Sequence, residues 1–178
     1  TVRINVLAHT QHTAAFNRIL KESNSEVDLN LIEVTELTPA VSVMLSECIE
    51  RNELVVIVGD RISAQAPERA VWADFLGKPA PFAVGPWILA SLLQCPVYLM
   101  FCMKQTGGYN LMFEPFAEQL RLPRKQRQQV LTQVVQRYAA ELERVACQYP
   151  LQWFNFYDFW QLPLTTQQKE HRGEHSSN

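Results

Sequence analysis

The sequence predicts an α/β domain with a mostly parallel central sheet flanked by helices. Strand-like and helix-like segments alternate along the chain, as they do in proteins built from βαβ units. Residues 54–58 (LVVIV) form a short, wholly apolar and β-branched run, which is typical of a central parallel strand buried on both faces. A long amphipathic pattern, from Pro123 to about Tyr149, predicts one extended helix.

The first third of the chain supplies two strands and two helices. Residues 2–8 alternate apolar and polar side chains, which predicts a strand with one buried face, and residues 29–34 repeat that character. Between them, residues 10–21 carry apolar side chains at helical spacing. Thr38 is suited to an N-cap and Pro39 to the first helical position, so a second helix begins there.

The remaining elements follow with short connections. The sequence predicts, in order, a strand over 71–76, a turn over 77–81, a helix over 85–94, a strand over 97–103 and its hairpin partner over 109–113. The apolar stripe of the long helix consists of Val130, Val134, Tyr138, Leu142 and Val145. The polar residues 163–178 predict a disordered tail.

Composition excludes several classes of protein. The chain has 178 residues, 47% of them hydrophobic, which is enough for one folded domain and too many for a disordered chain. Sixteen basic and 18 acidic residues give a net charge of −2, which argues against binding of nucleic acid through bulk charge. The four cysteines form no C-x-x-C pair, so they indicate reduced, buried thiols and no metal site.

The most informative short motif is Gly59-Asp60-Arg61, directly after the apolar run. In open α/β sheets, ligands bind outside the carboxyl ends of the strands. Arg61 is suited to a phosphate or carboxylate, and Asp60 can accept from a hydroxyl or orient a base. A structural Asp–Arg pair that closes the strand end explains the same residues equally well.

A second motif is a run of glycine, proline and aromatic residues before the helix at 85–94. Its members are Phe75, Gly77, Phe82 and Gly85. The backbone amides that follow Gly85 lie at a helix N-terminus, where an anion can bind. Taken alone, the run favours a tight turn with aromatic packing.

Residues 153–160 (WFNFYDFW) are dense in aromatic side chains. Such rings suit a membrane interface, and they also suit a segment that caps an apolar core. Core packing is the preferred interpretation. The long helix and its approach carry several arginines, which indicate a solvated face or a contact with anionic lipid.

In this order, three blocks of sequence resemble the lysophospholipid acyltransferase superfamily, and within it the lauroyl and myristoyl acyltransferases of lipid A biosynthesis. The blocks are residues 54–61 (LVVIVGDR), residues 74–90 followed by the strand at 95–101, and residues 149–160 with their Pro-x-Gln-aromatic start. Together the resemblance covers about residues 1–160.

The resemblance implies a glycerolipid acyltransferase-like fold over residues 1–162. It implies transfer of a fatty acyl group from an acyl carrier protein or acyl-CoA thioester to a glycolipid or lysolipid hydroxyl, with no bound cofactor, at the cytoplasmic face of the inner membrane. By position, Asp60 and Arg61 would line the acceptor or catalytic cleft. Phe75, Gly77 and Phe82 would shape the wall near the acyl chain, and Gly85 would join the substrate site.

One departure concerns the family's catalytic box, a histidine followed after four residues by Asp or Glu. The histidine is the general base, and the acid orients it. In this sequence the position that would hold the acid is Ala14 for His9, Asn17 for His12 and Ser176 for His171. None of these is Asp or Glu, and for His175 the position lies beyond the sequence. We therefore expect a C-terminal portion of an acyltransferase, incomplete at its N-terminus, with the box upstream and no activity in this chain alone.

Two alternatives stay open at this stage. One is a non-catalytic module that binds an anionic small molecule at Asp60, Arg61 and the helix start at Gly85. The other is an interaction domain whose aromatic C-terminal segment docks a partner protein.

Overall fold

The computed structural model describes residues 2–8, 28–33, 38–60, 62 and 69–162. The elements in these ranges are β1 (Ile4–Ala8), β2 (Leu29–Glu33), α1 (Pro39–Glu50), β3 (Leu54–Ile57), β4 (Ala70–Phe75), β5 (Lys78–Ala83), α2 (Gly85–Leu93), β6 (Val97–Gln105), β7 (Gly108–Ala117) and α3 (Arg127–Gln148). Short 3-10 turns cover Arg124–Gln126 and Pro150–Gln152. The α/β prediction is confirmed, whereas the helix predicted over 10–21 and the tail over 163–178 lie outside the described residues.

The parallel part of the structure is a three-stranded sheet in the order β2-β1-β3. Ile4 of β1 lies opposite Leu29 on one side and Leu54 on the other. The middle strand is therefore β1, and the prediction that residues 54–58 form a central strand is wrong for the described sheet. Leu54 and Val58 are 46% and 56% exposed. An apolar run in the sequence predicts a strand, but it does not show whether that strand lies at the centre or at the edge of the sheet.

Helix α1 begins where its capping residues predict. The backbone N–H of Val41 donates to Thr38 Oγ1 at 3.3 Å, and Pro39 occupies the first helical position. Leu45 of α1 is completely buried and joins Leu7 of β1 and Leu89 of α2 in a small core. This core attaches both helices to the parallel sheet.

Strands β4 and β5 form an antiparallel hairpin that the sequence did not predict, and the turn predicted over residues 77–81 is wrong. The real turn contains only Leu76 and Gly77, which have positive φ angles of 50° and 78°. Two such residues suit the right-handed twist of a hairpin. Glu143 of α3 accepts a hydrogen bond from the Leu76 N–H at 2.9 Å and so supports this unusual leucine.

The prolines of β5 are compatible with pairing because of where they lie in the register. Pro79 is opposite Asp74, and Pro81 is opposite Trp72. The Asp74 N–H donates to Gln136 Oε1 at 2.9 Å, and Gln136 Nε2 donates to the Asp74 carbonyl at 3.2 Å. The backbone N–H and C=O of Asp74 therefore point away from β5. Because hydrogen-bonded and non-hydrogen-bonded pairs alternate along an antiparallel ladder, the backbone groups of Trp72, two residues earlier, also point away from β5. Neither proline removes a hydrogen bond from the ladder.

Strands β6 and β7 form the second hairpin, which confirms the prediction and extends it to Gln105 and Gly108. The inner side chains of this hairpin, among them Leu99 and Phe116, join the main core. Helix α3 packs its predicted apolar stripe on β4, with Val134, Tyr138, Leu142 and Val145 buried. The main core is aromatic and includes Phe75, Phe82, Trp87, Phe116, Tyr138 and Phe159.

The C-terminal aromatic segment caps this core, in agreement with the preferred interpretation. Gln152 Oε1 accepts from the Lys104 N–H at 2.7 Å, and Gln152 Nε2 donates to the Lys104 carbonyl at 2.9 Å. Phe159 is almost completely buried, and Trp160 Nε1 donates to the Phe75 carbonyl at 3.3 Å. The glutamine thus pairs with β6 as a neighbouring strand would.

The cysteines are only partly as predicted. All four are free thiols; Cys48 is buried and Cys95 is half-buried, but Cys102 and Cys147 are exposed. Cys102 is exposed because it occupies an outward position of β6, where side chains alternate between faces. Within the described residues, no helix is both long and apolar enough to cross a bilayer.

A polar cluster joins the three parallel strands near their amino ends. Asn5 of β1, which is 1% exposed, donates to Glu53 Oε2 at 2.8 Å and accepts from Asn30 Nδ2 at 3.1 Å. Arg51 Nε donates to Glu53 Oε1 at 2.7 Å. The hydrogen bonds from Arg51 and Asn5 lower the pKa of Glu53 from 4.5 to about 2.

This cluster predicts a pH-dependent contribution to stability. Because the folded-state pKa of Glu53 lies below its usual value, the contribution is present above pH 4.5 and is lost as the pH falls towards 2. We expect Glu53→Gln to lower the free energy of unfolding at pH 7. The difference in this free energy between the variant and the parent protein should become smaller between about pH 5 and pH 2. Urea titrations across this range, with the exposed Glu50→Gln as control, test the expectation. A difference in the free energy of unfolding that does not change with pH would contradict this expectation.

The pairing of Gln152 with β6 gives a second prediction. Gln152→Ala removes two hydrogen bonds and should lower the free energy of unfolding by about 1–2 kcal/mol. It should also increase amide hydrogen exchange at Lys104, whose N–H loses its acceptor. Gln148→Ala, at an exposed position of α3, serves as the control. Unchanged exchange at Lys104 would contradict the assigned pairing.

Candidate functional site

The carboxyl edge of the parallel sheet carries the first predicted motif. Strand β3 ends at Ile57, and Val58 and Gly59 lead to Asp60, whose side chain is only partly buried. This is the edge at which open α/β sheets bind their ligands. Arg61 lies outside the described residues, so its pairing with Asp60 stays a prediction.

Tyr138 of α3 packs directly against this turn. A Cβ atom on Gly59 would lie 3.1 Å from Tyr138 Oη and 3.3 Å from Cζ, which is tighter than ordinary van der Waals contact. Glycine is therefore the residue that lets the backbone approach the ring. Burial, and secondly the Asp60 carboxylate, raise the pKa of Tyr138 far above its usual value. The phenol stays protonated and uncharged at physiological pH.

The ring of Tyr138 connects the strand end with the second motif. Its centroid lies 5.0 Å from that of Trp87, in the first turn of α2, and 5.9 Å from that of Phe82, on β5. Helix α2 begins at Gly85, and no side chain caps its first turn. The structure thus brings Asp60, Phe82 and the start of α2 around one tyrosine.

Trp87 contributes an unusual polar group to this region. The side chain is 4% exposed, and its Nε1 has no hydrogen-bond partner among the described residues. Buried indole N–H groups normally have an acceptor, because leaving one unpaired costs free energy. Within the part of the chain that the structure describes, the core beside Tyr138 therefore contains a hydrogen-bond donor without an acceptor.

Comparison with known proteins decides the family. The model of the family described as bacterial lipid A biosynthesis acyltransferase matches residues 4–161, a range that includes Gly59, Asp60, Phe82, Trp87 and Tyr138. The chain belongs to this family. No curated protein matches the chain. Family membership confirms the resemblance that the three sequence blocks carry, and it indicates an acyltransferase.

Within this acyltransferase fold, the predicted acyl-chain wall occupies an unexpected place. Phe75 and Phe82 are completely buried, and their ring centroids lie 5.7 Å apart. Phe75 also contacts Trp153 and Phe159 of the C-terminal segment. Neither phenylalanine reaches the surface, so a lipid would contact them only if the core opened. Their predicted binding role is untested by this arrangement.

Gly77 does not join the other candidates. It lies at the exposed turn before β5, whereas Gly85 follows the far end of the same strand. No atom lies within 4 Å of a Cβ built on Gly77. Its positive φ of 78° accounts for the glycine through the geometry of the turn. A binding role for Gly77 stays a prediction.

A groove of about 410 Å³ runs between β4 and α3. None of its lining residues is a predicted site residue, and three of its polar side chains have structural partners. Gln136 pairs with the Asp74 backbone, Glu143 with Leu76, and Arg144 with Glu114 and Glu141. The groove is therefore explained by the attachment of α3 to its neighbours.

Sequence reasoning missed the importance of Tyr138. It placed this residue only in the apolar stripe of the long helix. The available signal was that Tyr138 is the single stripe member with a polar tip, which suits a residue at the border between the core and a turn.

The contact between Gly59 and Tyr138 gives a third prediction. Gly59→Ala should lower the free energy of unfolding by about 1–3 kcal/mol, because the new methyl group overlaps Tyr138. Tyr138→Phe removes Oη, the atom closest to the new methyl group. In the Tyr138→Phe background, Gly59→Ala should therefore lower the free energy of unfolding by at least about 0.5 kcal/mol less than in the parent. Chemical denaturation of the two single variants and the double variant measures this coupling.

Gly108→Ala is the matched control, since a Cβ there meets nothing within 4 Å and φ is not positive. Equal costs of Gly59→Ala in both backgrounds would contradict the proposed contact.

Proposed function

We propose that this chain is the C-terminal portion of an O-acyltransferase. The enzyme would transfer a fatty acyl group from an acyl carrier protein or acyl-CoA thioester to a hydroxyl of a glycolipid or lysolipid, at the cytoplasmic face of the inner membrane. The observation that carries the proposal is the family match over residues 4–161, nearly the whole chain. The turn at Asp60, on the ligand-binding edge of the sheet, supports it.

The proposed chemistry requires a general base that this sequence does not provide in the family's form. The imidazole takes the proton of the acceptor hydroxyl while the oxygen attacks the thioester carbonyl. The carbon–sulfur bond then breaks, and the imidazolium gives the proton to the leaving thiolate, which becomes the free thiol. None of the four histidines has Asp or Glu five positions later. We therefore propose that a polypeptide segment outside this sequence supplies the box.

We assign Asp60 to acceptor binding. Its carboxylate is partly exposed at the strand end and accepts hydrogen bonds, as hydroxyl-rich lipid headgroups require. Beneath it, the neutral Tyr138 adds no second negative charge to the site. Arg61, the next residue, would hold a phosphate or carboxylate of the donor or acceptor.

The acyl chain would supply most of the binding free energy. Each buried methylene contributes about 0.8 kcal/mol, or about a fourfold increase in affinity. Phe82 and Trp87 form an apolar region around Tyr138, the ring that packs against Gly59 next to Asp60. Entry of a chain there requires separation of packed rings. The Trp87 N–H, which has no acceptor among the residues that the structure describes, would gain one if a lipid ester or carbonyl reached it.

A binding experiment distinguishes the proposal from a module for soluble anions. Acyl-CoA thioesters of eight to sixteen carbons should bind this chain with affinity that rises with chain length, whereas coenzyme A, nucleotides and sugar phosphates should bind weakly. Asp60→Asn should weaken the binding of lysolipid acceptors by about tenfold, through loss of a charged acceptor. Asp158→Asn, in the C-terminal segment, is the control. Isothermal titration calorimetry measures each dissociation constant.

Affinity that is independent of acyl length, with tight binding of sugar phosphates, would contradict the acyltransferase proposal. A transfer assay with acyl-CoA and lysolipid tests the missing base separately. The chain alone should give no turnover above background. Measurable turnover would contradict the assignment of the histidine to a segment outside this sequence.

A further inference from the structure

The outward side of the β6–β7 hairpin is an apolar surface, here called the outer face. It consists of positions 98, 100, 102 and 104 on β6 and positions 109, 111, 113 and 115 on β7, all of which are exposed. Met100 is paired with Phe113, and the rings of Tyr98 and Phe113 stack with centroids 4.6 Å apart. Leu111 is 59% exposed and Tyr109 is 74% exposed.

This composition is unusual for a hairpin side that faces water. The inner side already buries Leu99 and Phe116 in the main core, so apolar side chains occupy both sides of the same two strands. An antiparallel pair with one wetted side normally alternates apolar and polar residues. A contiguous exposed apolar patch on a folded domain indicates a surface that another apolar phase covers.

A second exposed apolar group lies beside the first. Gln152 pairs with the backbone of Lys104, which places the C-terminal segment against the turn end of β6. In that segment Phe159 and Trp160 face the core, but Leu151, Phe154 and Phe156 are 90%, 68% and 91% exposed. The segment thus divides its aromatic residues between the core and the outside.

The two surfaces carry little charge, and the exposed Asp158 that follows the second one accepts hydrogen bonds from the Trp160 N–H and from Gln161 Nε2. Lys104 is the only ionisable Lys, Arg, Asp or Glu among the eight outer-face positions, and residues 149–157 contain none. Tyr98 and Tyr109 stand towards opposite ends of the hairpin, with Met100, Leu111 and Phe113 between them. Apolar residues flanked by tyrosine, together with a lysine, are the combination found at the interface between lipid tails and headgroups.

We propose that the outer face, together with Leu151, Phe154 and Phe156, docks on an anionic lipid bilayer surface. Met100, Leu111, Phe113 and the two exposed phenylalanines enter the border of the acyl chains, while Lys104 lies at the level of anionic headgroups. The inference rests on the proposed function in that a lipid acceptor resides in a bilayer, but none of the residues that carry it is assigned to the substrate site.

A second copy of this chain suits the surface less well than lipid does. A symmetric partner presents the same outer face, which has no carboxylate to pair with Lys104. Lys104 would then be covered without a counter-charge, which costs free energy. Anionic headgroups supply that counter-charge in any orientation of the protein.

Sedimentation with vesicles tests the proposal on the full 178-residue chain. The parent should bind vesicles of phosphatidylglycerol and phosphatidylethanolamine. Leu111→Asp and Phe156→Asp should each lower the partition coefficient by about tenfold or more, because each places a charge where apolar burial is expected. Leu92→Asp is the matched control, since Leu92 on α2 is 60% exposed but lies on neither surface. It should change binding less than about twofold.

Lys104→Gln should weaken binding to anionic vesicles by about fivefold and leave binding to phosphatidylcholine vesicles unchanged. Circular dichroism verifies that every variant is folded. Absence of parent binding, or equal losses for Leu111→Asp and Leu92→Asp, would overturn the proposal. A dimer of the parent chain that forms without lipid and is dissociated by Leu111→Asp would also overturn it, since a second copy would then cover the outer face. Acyl-CoA affinity, measured separately, shows whether the proposed function fails independently.

Discussion

The contact between Gly59 and Tyr138 joins the two halves of this molecule. On one side is the parallel sheet, whose β3 carries Gly59 and Asp60 at its carboxyl end; on the other is the aromatic core beneath α3. The backbone approaches the phenol closely only because position 59 lacks a side chain. The approach also brings the Asp60 carboxylate near a tyrosine that burial keeps protonated. The chemical character of the site edge, one anion above a neutral phenol, therefore depends on a packing contact.

Side-chain amides complete the backbone pairing that the short hairpins lack. Gln136 pairs with Asp74 on β4, and Gln152 pairs with Lys104 on β6, each through one donated and one accepted hydrogen bond. A glutamine in this position satisfies both backbone groups of an edge residue, as a neighbouring strand would. The two contacts attach α3 and the C-terminal segment in a defined register. This accounts in physical terms for the glutamine in the Pro-x-Gln-aromatic block.

Local signals predicted the parts of the fold that depend on local chemistry. The cap at Thr38, the stripe of α3 and the hairpin of residues 97–103 and 109–113 were all correct, because each depends on residues a few positions apart. The β4–β5 hairpin was not predicted, since Pro79 and Pro81 usually oppose strand pairing, and their tolerance depends on the register that places them opposite Asp74 and Trp72. The place of Tyr138 could not be predicted either, since its contact with Gly59 joins residues far apart in the sequence. The position of Asp60 after a strand could be predicted because the end of an apolar run is visible in the sequence, whereas the burial of Phe75 and Phe82 depends on the docked C-terminal segment.

The C-terminal segment shows how one stretch of aromatic residues serves two environments. The two interpretations of residues 153–160, core cap and membrane interface, are usually alternatives. Here Phe159 and Trp160 pack on Phe75, while Phe154 and Phe156 remain outside. The β6–β7 hairpin divides in the same way, with Leu99 and Phe116 inside and Leu111 and Phe113 outside. Because Gln152 pairs with the backbone of Lys104, the segment and the hairpin present these exposed residues in a fixed arrangement.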